Sequence, residues 1–218
     1  MLLIFLVLVN SALICFMEVL AITSSGASPT EVQRITDLFE NGLMVLHLRK
    51  PKLDSKEVED ILKQIPKKYL PYIMIHGKYN LASKYNLRGV HLKRSHRNNN
   101  LSSRFLRFKL KLFHPKLKIS TTFHSLQSLR ENNVKYDYVL LSNVFNASSK
   151  FNFEDSGMKL LKTVISKCNQ NVFAIGDVKT EYLESIKEAQ FAGAGLSSSI
   201  FKEDKAIAIN ELQDFLVA

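Results

Sequence analysis

The chain has 218 residues, of which 46% are apolar and 23% are charged. That length and balance are typical of a single soluble globular domain with a full core. The two cysteines exclude a disulfide framework or a cysteine-built metal site, and they fit a reducing compartment. The formal net charge of +10 favours anionic partners such as phosphorylated metabolites, nucleic acid or acidic lipid, with a solvated basic face as the alternative.

The first sixteen residues are nearly all apolar. Such a run suits a signal peptide, a membrane anchor or an additional helix, although no basic residue precedes Arg34. Met17 opens a fresh apolar run, so a mis-assigned start with translation beginning there is the alternative. We predict an N-terminal extension over 1–16 and one domain over 17–218. A cytoplasmic location is expected unless the extension acts as a signal or an anchor.

Short apolar strands alternate with segments of helical periodicity from Met17 onward. The strands are continuously apolar, which is typical of parallel strands covered on both faces. Eight strands are predicted, at residues 18–23, 43–48, 72–75, 89–92, 119–123, 136–141, 171–176 and 191–196.

Capping signals place the helices between them. Ser28 is predicted to cap the first helix, with Pro29 at its first position, and Asp54 is predicted to cap the second. A weak helix is predicted over 101–112 and a closing helix over 203–216.

Eight strand–helix units predict an α/β protein, a single-domain (β/α)8 TIM barrel near the lower end of the usual size. A doubly wound sheet is the competing architecture. It does not need eight even units, however, and no Gly-x-Gly-x-x-Gly motif follows the first strand. In a barrel, the working residues lie just past the carboxyl end of each strand.

Three groups of side chains at those strand ends suit a phosphate. Arg49 and Lys50 follow the second strand and combine a rigid guanidinium fork with a mobile ammonium. The Ser-Ser-Lys run at 148–150 follows the sixth strand, with an ordinary polar loop as the alternative. The serines at 197–199 precede the last helix, where backbone N–H groups either bind a phosphate or are capped internally.

Histidines gather near the ends of the third, fourth and fifth strands. His91 lies within a strand and is predicted to line the barrel, and His124 follows the fifth strand. His76 and His96 are predicted to approach each other across adjacent strand ends and share a ligand or a proton. No His-x-x-x-His or Cys/His spacing accompanies them, which disfavours a histidine metal site.

The segment 93–118 is strongly basic and carries three phenylalanines, Phe105, Phe108 and Phe113. Exposed aromatic rings among basic residues could stack on nucleic-acid bases. At helical spacing they are predicted instead to face the barrel as helix core.

Several motifs follow one another with the spacing of one barrel family. They are His47-Leu-Arg-Lys50, Arg88-Gly-Val-His-Leu92, Thr122-Phe-His-Ser125, Tyr136-Asp-Tyr-Val139, Asn143-Val-Phe-Asn-Ala-Ser-Ser-Lys150, Phe173-Ala-Ile-Gly176 and Phe191-Ala-Gly-Ala-Gly195. Together they resemble the thiamine phosphate synthase family, which includes the related thiazole tautomerases.

The resemblance implies a barrel that joins hydroxymethylpyrimidine diphosphate to thiazole phosphate in thiamine biosynthesis. In that family, Mg²⁺ and basic residues draw off pyrophosphate, and the thiazole nitrogen captures the resulting pyrimidine methylene cation. On this basis the catalytic candidates are Arg49, Lys50, His76 and Lys150. The substrate-binding candidates are His47, His96, Thr122, His124, Asn143, Ser148, Ser149, Gly176, Ser198 and Ser199. No metal ligand is proposed among them.

The chain departs from the family pattern where metal and phosphate would bind. Pro51 replaces a lysine, and Asp177 replaces a glycine after the seventh strand. His76-Gly77 and His96 stand where the family has its metal-binding carboxylates, and Asn143 stands where the tautomerases have a functional histidine. Both carboxylates for Mg²⁺ are therefore missing, and imidazole serves a hard cation poorly.

The sequence thus predicts a synthase-type transferase with a degenerate metal site, in which His76, His96 and the basic segment replace the metal. One alternative is a different reaction on a phosphorylated heterocycle. Another is a non-catalytic or re-purposed barrel that binds a phosphorylated metabolite or nucleic acid. Phosphorylated small molecules are the expected partners; nucleic acid is disfavoured, and a homo-oligomer is left open.

Overall fold

Eight parallel strands close into a barrel in a computed structural model of the chain. The structure describes residues 18–26, 28–142, 144, 155–176, 178–196, 198–201 and 204–217. The strands are β1 (Glu18–Ile22), β2 (Val45–Leu48), β3 (Ile73–His76), β4 (Gly89–Leu92), β5 (Lys118–Phe123), β6 (Tyr138–Ser142), β7 (Asn171–Ile175) and β8 (Gly193–Leu196). The helices are α1 (Glu31–Glu40), α2 (Ser55–Gln64), α3 (Asn80–Lys84), α4 (Arg94–Arg97), α5 (Leu101–Phe113), α6 (Leu126–Arg130), α7 (Asp155–Ser166), α8 (Leu183–Glu188) and α9 (Lys205–Val217). Short 3₁₀ helices cover Lys67–Tyr72, Thr180–Tyr182 and Ser198–Phe201.

Each strand pairs in parallel with the next, and β8 pairs with β1 to complete the ring. The predicted (β/α)8 barrel is therefore confirmed. The closing contact depends on Gly193, because a Cβ there would lie 2.1 Å from the Glu18 carbonyl oxygen. Gly89 has the same role between β4 and β5, where a Cβ would lie 2.0 Å from the Lys118 carbonyl oxygen.

Side chains alternate between the inside of the barrel and the helix layer, because successive strand residues point to opposite faces. The lower interior is apolar and is filled by Leu20, Val45, Met74, Tyr138, Leu140 and Phe173, while Ile175 of the same cluster reaches the mouth. The outer core lies between the strands and the helices and includes Ile35, Leu38 and Leu62. Above the apolar layers the interior turns polar, with His47, His91 and Ser120 buried inside the ring. That polar layer is the floor of the barrel mouth.

The predicted cap of α2 is confirmed, and the predicted cap of α1 is wrong. Asp54 accepts a hydrogen bond from the Glu57 backbone N–H, while the Glu57 side chain accepts one from the Asp54 backbone N–H. α1 instead begins at Glu31 after Thr30, without a side-chain cap. The Ser28 hydroxyl is engaged with that of Thr30 at 3.1 Å, so it does not reach the helix N–H groups.

The α5 helix forms where it was predicted, but its aromatic face is reversed. Phe105, Phe108 and Phe113 are 67%, 61% and 65% exposed, so the prediction that they form helix core is wrong. Ser103 and Leu110 face the barrel instead and are buried. Helical spacing shows that residues share a face, but it does not show which face meets the sheet.

Within the part of the chain that the structure describes, no helix is long and apolar enough to cross a membrane. Residues 1–16 lie outside the described residues, and their assignment as an extension stays a prediction.

Candidate functional site

A cavity of about 750 Å³ opens at the carboxyl ends of the strands. Its wall includes the strand-end residues Arg49, His76, His91, Thr122, His124, Ser142 and Gly176, together with Lys78 and Lys93 from the following loops and Arg94 at the start of α4. The first seven lie at the carboxyl end of a strand or within one residue of it, and six strands, β2 to β7, contribute them, as a barrel site requires. Arg49, His76, Thr122, His124 and Gly176 are therefore brought together, as predicted for working residues at strand ends.

The mouth is positively charged. Arg49, Lys78, Lys93 and Arg94 line it, and none of the described lining residues is Asp or Glu. Arg49 and Arg94 are exposed to the cavity rather than packed into the wall. Cations grouped in a concave site raise the local concentration of anions and suit a diphosphate.

Lys50 does not face this mouth, contrary to the prediction of a mobile charge there. Its ammonium is fully buried on the helix side, 2.6 Å from the Glu31 carboxylate. It also donates to the carbonyl oxygens of Ser24 at 2.9 Å and Gly26 at 2.5 Å. Arg49 and Lys50 point to opposite sides because they continue the alternation of β2. Lys50 therefore fastens the loop after β2 to the loop after β1 instead of binding substrate.

A second lysine fastens the next pair of loops. The Lys78 ammonium, from the loop after β3, donates to the carbonyl oxygens of Lys50 and Leu53 in the loop after β2. Its charge remains at the cavity wall, because carbonyl dipoles solvate it without neutralising it. We call Lys50 and Lys78 the loop staples.

A hydrogen-bonded histidine chain forms the floor of the mouth. The Tyr138 hydroxyl lies 2.7 Å from His47 Nε2, and His47 Nδ1 lies 2.9 Å from His76 Nε2. His76 stacks on His91, with ring centroids 4.1 Å apart and planes 17° from parallel. His91 in turn contacts the Ser120 hydroxyl at 2.8 Å through Nδ1 and the Thr122 hydroxyl at 2.9 Å through Nε2.

These three imidazoles are neutral at pH 7. Burial lowers the pKa of His91 to about 3, helped by the charges of Arg49 and His124. Burial and the neighbouring His91 hold the pKa values of His47 and His76 well below the ordinary range of histidine. The floor therefore offers a ligand neutral hydrogen-bond donors and acceptors, and the positive charge stands above it.

The described residues of the mouth do not fit a Mg²⁺ ion. Mg²⁺ prefers carboxylate and other oxygen ligands in octahedral geometry, and the described wall of the mouth contains no carboxylate. Nitrogen atoms of His47, His76 and His91 lie within 4.8 Å of one another, close enough for a softer metal ion such as Zn²⁺ to be considered. A ligated ion lies in the plane of each imidazole, however, and the nearly parallel planes of His76 and His91 do not meet at such a point.

Other predicted residues stand apart from the cavity or outside the described residues. His96 lies on α4, where its Nδ1 is 3.2 Å from the Tyr79 hydroxyl, and it is not among the described residues that line the mouth with His76. His124, by contrast, lines the cavity and contacts the Ser142 hydroxyl at 2.5 Å. Ser198 and Ser199 open a 3₁₀ helix, with side chains outside the description. Asn143, Ser148, Ser149 and Lys150 lie wholly outside the described residues.

Lys93 and Arg94 follow β4 directly, and the sequence marked them only as members of the basic segment 93–118 and not as individual site residues. Two further residues were missed in the sequence. Tyr138 and Ser120 carried a weaker signal, the strand alternation that directs every second side chain inward. The pairing of Tyr138 with His47, 91 residues earlier, depends on barrel closure and has no local signal.

Comparisons with known proteins agree with this architecture. A family model described as thiamine monophosphate synthase matches residues 19–200. The thiamine-phosphate synthase of Clostridium tetani is 25% identical over 179 residues, which cover 80% of this chain and 82% of that protein. A thiamine phosphate pyrophosphorylase structure from Bacteroides thetaiotaomicron superposes with a TM-score of 0.72 at 24% identity, covering 91% of this chain and 95% of that one. The enzyme of that name from Pyrococcus furiosus gives 0.69 at 18% identity, covering 92% and 96%. Because the family model spans nearly the whole barrel, the chain belongs to the thiamine monophosphate synthase family.

Proposed function

We propose that this barrel joins hydroxymethylpyrimidine diphosphate to thiazole phosphate, and that it does so without a protein-bound divalent cation. The observation that carries the proposal is the wall of the mouth, whose described residues include four cations and no carboxylate. The diphosphate would meet Arg49, Lys93 and Arg94 directly, with the Lys78 charge held beside them.

The reaction needs charge stabilisation more than it needs a proton acceptor. The bond between the pyrimidine methylene carbon and the diphosphate oxygen breaks, and the electron pair leaves with pyrophosphate. The thiazole nitrogen then supplies its lone pair to the carbocation, and a carbon–nitrogen bond forms. Cations already in place where the negative charge develops lower the barrier, because they do not reorganise during the step.

The neutral histidines of the floor suit the pyrimidine part of the substrate, which becomes the carbocation. His76 and His91 reach the cavity without carrying charge, so they do not repel a carbocation. Thr122 stands beside them, with its hydroxyl oriented by His91. The floor can therefore hydrogen-bond a pyrimidine ring through His76 Nδ1 and the Thr122 hydroxyl, while the cations above it hold the leaving group.

The test is product formation from the two precursors, measured with excess Mg²⁺ and with excess EDTA. We expect the rates in the two conditions to agree within a few-fold, because the stabilising charge belongs to the protein. A strict requirement for Mg²⁺ would refute the metal-free mechanism, and no product in either condition would refute the synthase activity. Binding of inorganic pyrophosphate without turnover would instead favour a non-catalytic barrel.

Arg49→Ala is expected to lower kcat/KM by about 10²- to 10³-fold, a size typical of removing one group that stabilises transition-state charge. Lys56→Ala removes an exposed cation from α2, away from the mouth, and is the matched control. Equal activity in the two variants would contradict the role of Arg49.

A further inference from the structure

The α5 helix presents an apolar stripe to solvent. Leu101, Phe105, Phe108 and Leu112 are 81%, 67%, 61% and 59% exposed. Their spacing of four, three and four residues aligns them along one side of the helix. Phe113 stands at the end of the same helix and is also exposed. Barrel helices ordinarily turn such a stripe toward the strands, so this one is available for a partner.

The barrel holds α5 by its opposite side. Ser103 and Leu110 are buried there, and Leu106 packs partly against the core. The Asn100 side chain caps the first turn by accepting from the Ser103 N–H at 2.9 Å. The helix is therefore anchored without using its large side chains, which remain outside.

Basic residues flank the stripe. Arg104 lies beside it on one edge and Lys109 on the other, and both are exposed. The helix has no Asp or Glu, and the sequence has none between Asp60 and Glu131. An apolar stripe bordered by cations on a convex helix is complementary to the headgroup region of an anionic bilayer.

A second copy of the chain fits this surface less well. If two α5 stripes paired about a two-fold axis, Arg104 and Lys109 of one copy would lie near the basic residues of α5 in the other copy. α5 supplies no acidic residue to offset that repulsion. Anionic lipid is complementary to both parts of the surface, because acyl chains pack against the phenylalanine rings and the headgroups pair with Arg104 and Lys109.

We propose that α5 docks the barrel on membranes that contain anionic lipid, with Phe105 and Phe108 inserted at the headgroup boundary. This surface lies on the outer helix layer, so it is separate from the mouth of the barrel.

The chain contains no tryptophan, which allows a site-specific test on the full-length protein. Phe108→Trp places the only indole on the stripe, and Leu160→Trp places it on α7, where Leu160 is 50% exposed without forming part of such a stripe. On vesicles containing phosphatidylglycerol, we expect a blue shift of the Phe108→Trp emission and none for Leu160→Trp. Both proteins retain residues 1–16, so binding through that segment alone leaves both emissions unchanged and refutes the proposal.

Affinity gives a second measure. In vesicle sedimentation, Phe105→Ser combined with Phe108→Ser is expected to lower partitioning by about tenfold for each ring, whereas Leu160→Ser leaves it unchanged. Binding should weaken on phosphatidylcholine alone and at high salt. A blue shift that grows with protein concentration in the absence of vesicles would assign the stripe to a second copy instead. Far-UV circular dichroism confirms that each variant remains folded.

Discussion

Lys50→Met is expected to lower the free energy of unfolding by about 3–5 kcal/mol, although Lys50 was predicted to act on substrate. The substitution leaves the Glu31 carboxylate buried without its cation. It also removes the donor that satisfies the carbonyl oxygens of Ser24 and Gly26. In a domain of this size, that loss corresponds to a fall in Tm of roughly 10 °C. Urea unfolding and thermal melting both measure it.

Two further variants separate the ion pair from a general effect of losing a lysine. Lys52→Met removes an exposed lysine two residues away and should leave the stability within about 0.5 kcal/mol. Lys50→Met combined with Glu31→Leu removes both charges, and we expect it to recover much of the loss, because an uncompensated buried charge is the main cost. If the double variant is no more stable than Lys50→Met, the cost lies in the loop contacts rather than in Glu31.

Acid should destabilise the barrel from about pH 6.5 downward. In the unfolded chain His47, His76 and His91 bind protons below about pH 6.5. In the folded protein the lowered pKa values keep them neutral, to about pH 3 for His91. The unfolded state thus binds more protons, and the free energy of unfolding falls by about 1.4 kcal/mol per pH unit for each such histidine. The contribution of these three histidines to the free energy of unfolding is fully present above pH 7. It is lost as the pH falls toward their pKa values in the folded protein.

Urea unfolding at a series of pH values measures this dependence. His47→Gln should reduce the dependence of the free energy of unfolding on pH by the contribution of one histidine. A glutamine at this position can still hydrogen-bond Tyr138. His114→Gln, outside the histidine chain, is the matched control. An unchanged slope in His47→Gln would show that His47 does not contribute to the acid sensitivity.

Much of the fold could be predicted from the sequence because barrel strands leave a repeated signal. Each strand is a short apolar run that precedes a helical segment, and the eight runs coincide with the eight observed strands to within a few residues. Asp54 capped α2 as predicted, since a capping box is local in sequence. The α1 cap was wrong, because a competing contact between Ser28 and Thr30 decides it.

The sequence predicts which strand ends carry the site, but it does not by itself show which of two adjacent side chains faces the mouth. Arg49 and Lys50 are adjacent and equally basic, yet one lines the mouth and the other is buried beside Glu31. Alternation along β2 distinguishes them, and so the composition of a strand end is not enough. The stacking of His76 on His91 depends on the register of β3 against β4, which places the two residues side by side. Register across a barrel is a tertiary property that a single segment does not encode.

The loop staples have a consequence for how this barrel can diversify. Barrel enzymes usually acquire new substrates by changing one strand-end loop while the others stay in place. Here Lys50 ties the second loop to the first, and Lys78 ties the third loop to the second. A change of length in any of these three loops would displace a loop staple and leave carbonyl oxygens of the neighbouring loop without their lysine donor. The loops after β1, β2 and β3 are therefore expected to change together rather than one at a time.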